Sequence, residues 1–227
     1  MHEQNYSRSR WGAAAMGLSG LLFATFPVVR PFYDDLARDP TGAARTISSP
    51  AWVVAHLMLI VALVLLPFGL LSVFANLSSS NSRRLAFSGL VLGIVGGGLY
   101  LPVGGVEAFA LPAIAHLYLA GQIPTLDAID AVRSGLRATV FPSGLVFLGL
   151  GGIFTALAVW RSRRVWRWAG IPFGAGLVFF LPLLPQAVRI ADGTLIGIGG
   201  IWLACALWQD ASPVAVIEFS QMRTGAT

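Results

Sequence analysis

One stretch of the sequence constrains the fold more than any other: residues 51 to 75 contain no Asp, Glu, Lys or Arg. A helix of about 20 mostly apolar residues is long enough to cross the hydrocarbon core of a bilayer. Further apolar runs bring the predicted spans to six, at residues 11–29, 51–75, 86–110, 140–160, 168–184 and 189–208. The chain is therefore predicted to cross a membrane repeatedly.

The composition supports this prediction and excludes several other classes of protein. Only 11% of the residues are charged and 56% are hydrophobic, whereas about a quarter of a soluble domain is charged. Such a chain is neither disordered nor a disulfide-stapled secreted module. Inside a bilayer every backbone group must bond internally, which favours helices for runs of this length. We expect an all-α polytopic membrane protein, with residues 1–227 forming one domain that is a compact bundle of six transmembrane helices.

Arginine supplies all of the basic charge, because the 15 cationic residues include no Lys and leave a net charge of +5. Basic residues that flank membrane spans set orientation, so this charge does not indicate a nucleic-acid partner. Two short predicted turns, at residues 78–85 and 161–167, carry Arg83, Arg84, Arg161, Arg163, Arg164 and Arg167. We therefore expect both turns and both termini to face the cytoplasm, in a bacterial plasma membrane, with membrane lipid as a partner and the oligomeric state open.

Small residues and prolines divide the predicted helices into tight and open parts. Glycines recur along three spans and favour close helix packing within the bundle; they are Gly89, Gly93 and Gly97, then Gly170 and Gly174, then Gly193 and Gly197. Prolines tend to bend or end helices, and Pro102, Pro112, Pro142, Pro182 and Pro185 all fall in the predicted outer half. A cup between helices is expected on that side.

Polar residues inside the apolar runs are the candidate site. An ionisable group within a span is costly to bury, so it is a functional hypothesis by default. Glu107 is the clearest case, and the alternative is that its carboxylate reaches the outer membrane surface or is paired with an arginine such as Arg189. Asp192, His56 and Tyr100 fall in the same predicted half of the membrane. We predict Glu107, Asp192, Tyr100 and His56 as catalytic residues.

These residues suggest acid chemistry on an apolar substrate. A half-buried carboxylic acid retains its proton more readily than an exposed one and can act as a general acid. Aromatic faces around it can stabilise a cation. The residues predicted to bind substrate are Phe26, Tyr33, Phe109, Phe141, Phe179, Phe180 and Arg189.

In size, in composition and in this layout of acids within an aromatic cup, the whole chain resembles the small integral-membrane terpene cyclases of microbial natural-product pathways. The resemblance involves no specific motif. It implies an enzyme of isomerase or lyase type that cyclises a lipophilic prenyl or terpenoid substrate through a carbocation. Glu107 would be its principal acid and Asp192 the partner of Glu107, and it would need no metal and no cofactor.

Two other classes remain open. A haem- or quinone-binding electron-transfer protein would use His56 and His116 as ligands, since two histidines from neighbouring helices can sandwich a haem. A small transporter or channel would use the glycine-rich third span, although neither convincing repeats nor a charged pathway is present.

Overall fold

The protein is all-α within the residues that the computed structural model describes, which are 2–32, 36–135, 137–162, 166–181 and 184–210, without the side chains of residues 2–9, 137 and 210. The helices are α1 (His2–Val29), α2 (Pro40–Ile47), α3 (Pro50–Asn76), α4 (Ser80–Gly105), α5 (Leu111–Leu119), α6 (Asp127–Arg133), α7 (Arg137–Arg161), α8 (Gly170–Phe179) and α9 (Gln186–Asp210). A π-helical turn (Val106–Ala110) joins α4 to α5, and a 3-10 turn (Arg167–Ala169) precedes α8.

Six helices pack as a closed ring. Going round it, α1 packs on α3, α3 on α4, α4 on α7, α7 on α8, α8 on α9, and α9 back on α1. Buried apolar side chains from all six helices meet inside this ring, among them Phe23, Leu66, Leu148, Phe173 and Ile196. The ring therefore has one continuous core.

Within the described residues, five helical stretches, and not the predicted six, are long and apolar enough to cross a membrane: α1, α3, the continuous stretch Ser80–Leu119, α7 and α9. The predicted span 168–184 contains α8, whose 10 residues rise only about 15 Å against a hydrocarbon core of about 30 Å. The helix ends before Phe180, whose backbone leaves the helical conformation (ψ 73°). Pro182 follows in the sequence, and proline disfavours helix in the residue before it. Apolarity alone therefore overestimated this span.

The third predicted span, 86–110, is part of a longer helical stretch that does not end at Pro112. The stretch passes through the π-turn and stops at Gly121, which has a φ of +67°. There the N–H of Gln122 bonds the carbonyl of Leu117 (3.0 Å) and the N–H of Gly121 bonds that of Tyr118 (3.0 Å). This is the Schellman ending, in which a left-handed glycine closes the helix.

Glycine contacts set the close helix approaches of the ring. A Cβ added to Gly96 would lie 2.5 Å from the backbone nitrogen of Leu148 on α7. Gly89 of α4 also approaches α7, and a Cβ added to Gly151 of α7 would lie 3.0 Å from the nitrogen of Gly93, although a Cβ on Gly93 itself would meet Leu70 of α3 at 2.5 Å. The prediction for Gly97 was wrong, because an added Cβ would meet nothing closer than 3.9 Å. Since a helical turn holds 3.6 residues, the face continues at Gly96. We call the contact between α4 and α7 the glycine seam.

The other predicted glycines make the close approaches expected of them. Gly170 and Gly174 pack against α7, where added Cβ atoms would lie 3.0 Å from the Cα of Ala156 and 2.8 Å from the carbonyl oxygen of Gly152. Gly193 and Gly197 pack against α1.

A second, smaller core lies at one end of the ring, beyond the long helices. Its buried residues are Ala44, Ile47, Trp52, Leu111, Ala115, Leu126 and Ile129, from α2, α3, α5 and α6. Asp39 begins α2 by accepting a hydrogen bond from the N–H of Gly42 (2.8 Å). We call this the Trp52 end, and the opposite end, where α3 turns into α4, the Arg83 end.

The outward faces of the ring are apolar. Large hydrophobic side chains are exposed along the long helices, including Phe68, Phe87, Val146 and Ile198. Large exposed apolar surfaces are rare on soluble monomers and mark contact with membranes or partners. With the five long helices, they fit a small integral-membrane protein.

Candidate functional site

A wall of rings lies at the Trp52 end, where α1 and α3 meet. His56 is 3% exposed and lies between the rings of Trp52 (centroids 4.7 Å apart) and Phe26 (5.6 Å). Its Nδ1 hydrogen-bonds with the carbonyl oxygen of Trp52 at 2.8 Å. Its helix and two aromatic neighbours therefore fix the position of the imidazole.

The π-turn leaves one backbone carbonyl for Trp52 to bind. In the π register the carbonyl of residue i accepts from the N–H of residue i+5, and the N–H of Leu111 bonds Val106 in this way. The next carbonyl is that of Glu107, and its π-register partner is Pro112, which has no N–H. The indole Nε1–H of Trp52 donates to it at 2.8 Å. Trp52 thus joins α3 to the π-turn.

The carboxylate of Glu107 is held by an arginine from a surface helix. Nη2 of Arg133 lies 3.1 Å from Oε2 and 3.3 Å from Oε1. The side chain of Arg133 is 27% exposed and that of Glu107 is 12% exposed. An arginine partner was the alternative expected for Glu107, but it is Arg133 at the end of α6 and not Arg189.

Asp192 lies in a different environment, at the place where α1, α8 and α9 meet. It is 4% exposed, as is Arg189 one turn earlier on α9. Both line a narrow cavity with Phe26, Pro27, Phe180 and Leu181. The cavity volume is only about 10 Å³, roughly the space that one water needs.

Phe180 connects this cavity to Tyr100 on α4. Its ring centroid lies 5.9 Å from that of Tyr100 and 5.3 Å from that of Phe23. Tyr100 is also 5.2 Å from Phe141 on α7. The rings therefore continue from the cavity of Asp192 across the inside of the bundle.

Two guanidinium groups lie over aromatic faces at the mouth of the same region. Arg189 lies 5.0 Å from the ring centroid of Phe32 and 5.8 Å from that of Phe26. Arg30 lies 4.3 Å from the Trp52 ring and 5.4 Å from that of Phe32. These are cation–π distances, so the aromatic faces at this end already accept positive charge.

The structure brings most of the predicted site residues to one end, but not into a single pocket. Phe109 and Phe179 are 61% and 56% exposed and do not line the cavity of Asp192. Tyr33 lies outside the described residues. His116 is exposed on α5, and no hydrogen bond or ring contact joins it to His56.

Sequence reasoning missed Arg133 and Trp52 as members of this region. The sequence from Leu126 to Val132 alternates apolar and acidic residues as a short amphipathic helix on a surface does, and this pattern is the available signal for Arg133. Leu126 and Ile129 are buried in the smaller core, which sets the position of α6 and brings Arg133 to Glu107. The role of Trp52 had no such signal, because it depends on the π-turn.

Among the described residues, no three His, Cys, Asp or Glu side chains come together as a metal site would require. The sequence matches no family model and no curated protein, and the fold matches no solved structure.

Proposed function

We propose that the protein is an integral-membrane enzyme that cyclises a lipophilic prenyl or terpenoid substrate, with Asp192 as the proton donor. One observation carries the proposal: Asp192, a residue that is 4% exposed, shares a cavity with Phe26 and Phe180. A buried acid beside π-faces is suited to protonating an alkene and stabilising the cation that results.

Of the two candidate acids, Asp192 fits this role better than Glu107. Glu107 is in an ion pair with Arg133 at 3.1 Å, and an ion-paired carboxylate carries no proton to donate. No hydrogen bond or ion pair of that length joins Asp192 to Arg189 within the described residues. We therefore assign the chemical role to Asp192 and a structural role to Glu107.

The proposed reaction is an isomerisation. The π-electron pair of a substrate alkene takes the proton from the carboxyl group of Asp192, which leaves a carbocation and a carboxylate. A second alkene of the same chain attacks the cation, forming a carbon–carbon ring bond and moving the positive charge. Loss of a proton to the carboxylate ends the reaction and restores the acid.

Substrate entry requires the cavity to open, because about 10 Å³ is far below the 300–1,000 Å³ typical of a ligand pocket. Leu181 lines the cavity and is 41% exposed. Phe179, which precedes the lining residue Phe180, and Val28, which follows the lining residue Pro27, are exposed as well. We infer that a prenyl chain enters sideways from the lipid by separating Phe180 and Leu181 from α1.

For orientation, we propose that the Arg83 end faces the cytoplasm with both termini. The support is the arginine content of its turns, which the positive-inside rule places in the cytoplasm. In a Cys205→Ser background, an impermeant maleimide applied to intact cells should label Asp127→Cys and leave Ser80→Cys unlabelled. The reverse pattern would place the proposed site on the cytoplasmic side.

The reaction is tested with membranes containing the protein, incubated with linear prenyl alcohols and prenylated aromatics in D₂O. A cyclisation that begins with proton transfer yields a product with one solvent deuteron on carbon, which mass spectrometry detects. Asp192→Asn keeps the shape of the side chain but has no transferable proton, so turnover should fall about 10²–10⁴-fold.

Glu107→Gln is the matched control, because it makes the same chemical change in the other acid and should lower turnover by less than about tenfold. Turnover that survives in Asp192→Asn and is lost in Glu107→Gln would move the acid role to Glu107. A wild-type protein that incorporates no deuterium into any prenyl substrate would remove the proposal.

A further inference from the structure

The cavity of Asp192 also contains a buried arginine to which the proposed reaction gives no role. Arg189 is 4% exposed and lines the cavity together with Asp192. Burying a charge is costly unless an opposite charge and hydrogen bonds compensate for it. The groups available to Arg189 therefore indicate what else this cavity binds.

The guanidinium of Arg189 has no hydrogen-bond or ion-pair partner within the described residues. Arginine carries five N–H donors, and buried donors in native proteins are nearly always paired. The rings of Phe32 and Phe26 lie 5.0 and 5.8 Å from the guanidinium carbon. Their faces offset part of the charge but do not replace oxygen acceptors.

The donor atoms of Arg189 can be reached by a ligand. In the part of the chain that the structure describes, the polar side-chain atoms that are both fully enclosed and unbonded include no atom of Arg189. Since its guanidinium nitrogens have no partner there, they keep a small accessible surface. Arg189 lines the cavity, so an acceptor that enters beside Phe26 can meet these nitrogens.

Neither of the two candidate acids balances the charge of Arg189. Glu107 is in the ion pair with Arg133 at 3.1 Å, and Asp192 must hold a proton to act as the donor. A second guanidinium, that of Arg30, lies 5.4 Å from the same Phe32 ring. The charge at the mouth of the cavity therefore favours an anionic ligand.

The order of the two residues along α9 matches a ligand with a polar head and an apolar chain. Arg189 is the fourth residue of α9, and Asp192 lies three residues, or about 4.5 Å, farther along the span. An amphiphile in a bilayer has its head group at the interface and its chain in the hydrocarbon core. A head group at Arg189 would lead the chain past Asp192.

We propose that the substrate of the Asp192 site carries an anionic head group, a carboxylate or a phosphate, whose oxygens accept hydrogen bonds from Arg189. Arginine binds both groups through paired N–H···O bonds. The inference rests on the proposed function, because it names the substrate class of the same site. Prenyl acids or prenyl phosphates are then preferred to prenyl alcohols and hydrocarbons.

Isothermal titration calorimetry of the full-length protein in maltoside micelles, at fixed ionic strength, tests the head group. The probes are farnesyl phosphate, farnesoic acid and farnesol, which share one prenyl chain and differ only at its end. At least one of the two anions should bind about tenfold or more tightly than farnesol. A preference between the anions would distinguish a phosphate from a carboxylate head.

Variants test whether Arg189 is the source of this preference. In Arg189→Gln the affinity of the anions should fall to within about threefold of that of farnesol, while farnesol binding is nearly unchanged. Arg189→Lys keeps the charge but not the paired donors, so it should retain part of the preference.

Arg30→Gln is the matched control. Arg30 contacts the Phe32 ring as Arg189 does, but it does not line the cavity. The loss of its charge should therefore weaken anion binding by less than about threefold.

Three results would overturn the inference: equal affinity of farnesol and both anions in the wild-type protein, a preference that survives in Arg189→Gln, and an equal loss in Arg30→Gln. The wild-type comparison needs no variant, so it decides the question even if Arg189→Gln does not fold.

Deuterium uptake from D₂O separates a failure of this inference from a failure of the proposed function. Equal uptake into farnesol and both anions would leave the cyclisation intact and reject the anionic head group. Anion binding that depends on Arg189, with no uptake into any probe, would reject the cyclisation and retain the anion site.

Discussion

The glycine seam and the Trp52 end are held together by opposite means. In the seam, α4 and α7 approach so closely that a Cβ on Gly96 would lie 2.5 Å from a backbone nitrogen, and contact is made by backbone and small side chains. At the Trp52 end, α2, α3, α5 and α6 share a small apolar core, and α3 and α6 are further joined to the π-turn by long polar and aromatic side chains, such as the Glu107–Arg133 pair at 3.1 Å.

This difference determines what each region can do. A seam of backbone contacts has no adaptable side chain and transmits any added volume directly to the packing of the bundle. The Trp52 end is built from hydrogen bonds and ring contacts that can break singly and reform. Substrate entry and chemistry are therefore expected at the Trp52 end, with the seam as its rigid support.

The largest effect should come from adding one methyl group to the seam. In Gly96→Ala the new Cβ would meet Leu148 N at 2.5 Å and Gly144 O at 2.8 Å, and neither atom belongs to a flexible side chain. We expect a loss of about 3 kcal/mol in the free energy of unfolding, at the upper end for overpacking. Circular dichroism during titration with sodium dodecyl sulfate measures it.

Gly98→Ala is the control in the same helix, because an added Cβ there would meet nothing within 4 Å. Alanine favours helix over glycine by up to about 1 kcal/mol, so this variant should be neutral or slightly more stable. Equal stability of the two variants would mean that the seam is not a rigid contact.

The two regions also differ in how far the sequence could predict them. The α4 side of the seam could be predicted in outline from glycines at helical spacing, apart from the shift from Gly97 to Gly96. The partner helix α7, whose Gly144 and Gly151 face α4, was not predicted. All-helical structure and five long spans follow equally from apolar runs. The length of α8 was overestimated because hydropathy does not weigh the proline that follows Leu181.

The Trp52 end could be predicted only as a list of residues. That Glu107 meets Arg133 depends on α6 docking through Leu126 and Ile129, a contact between distant parts of the chain. The bond from Trp52 depends on a π-turn, which no periodicity in the sequence indicates. Pro112 does not end the helix: the chain continues past it, with one carbonyl bonded by another helix.

An intermediate effect is expected from the ion pair at the Trp52 end. Glu107→Gln removes one charge and leaves Arg133 without its acid, so the free energy of unfolding should fall by about 1–3 kcal/mol, between the values for surface and buried pairs. Arg133→Met in the Glu107→Gln background should then cost much less than it does alone. A double-mutant cycle by the same titration gives the coupling energy.

A coupling energy near zero would contradict the structural role that we assign to Glu107. It would show that the pair at 3.1 Å contributes no more than an exposed salt bridge, and the contrast between Glu107 and Asp192 would lose its basis.

The smallest effect should come from the bond between Trp52 and the π-turn. Trp52→Phe removes the indole N–H but also changes packing, so the single variant does not isolate the hydrogen bond. Pro112→Ala supplies the N–H that the carbonyl of Glu107 lacks in the π register. In that background Trp52→Phe should cost about 0.5–1.5 kcal/mol less than in the wild type, which is the net value of one hydrogen bond.

The packing change is the same in both backgrounds and cancels in the comparison, so the difference reports the carbonyl alone. Strict additivity of Trp52→Phe and Pro112→Ala would mean that the carbonyl of Glu107 does not need the indole. The Trp52 end would then be held by apolar packing, as the interior of the ring is, and the adaptable contacts that distinguish it from the glycine seam would be reduced to the Glu107–Arg133 pair.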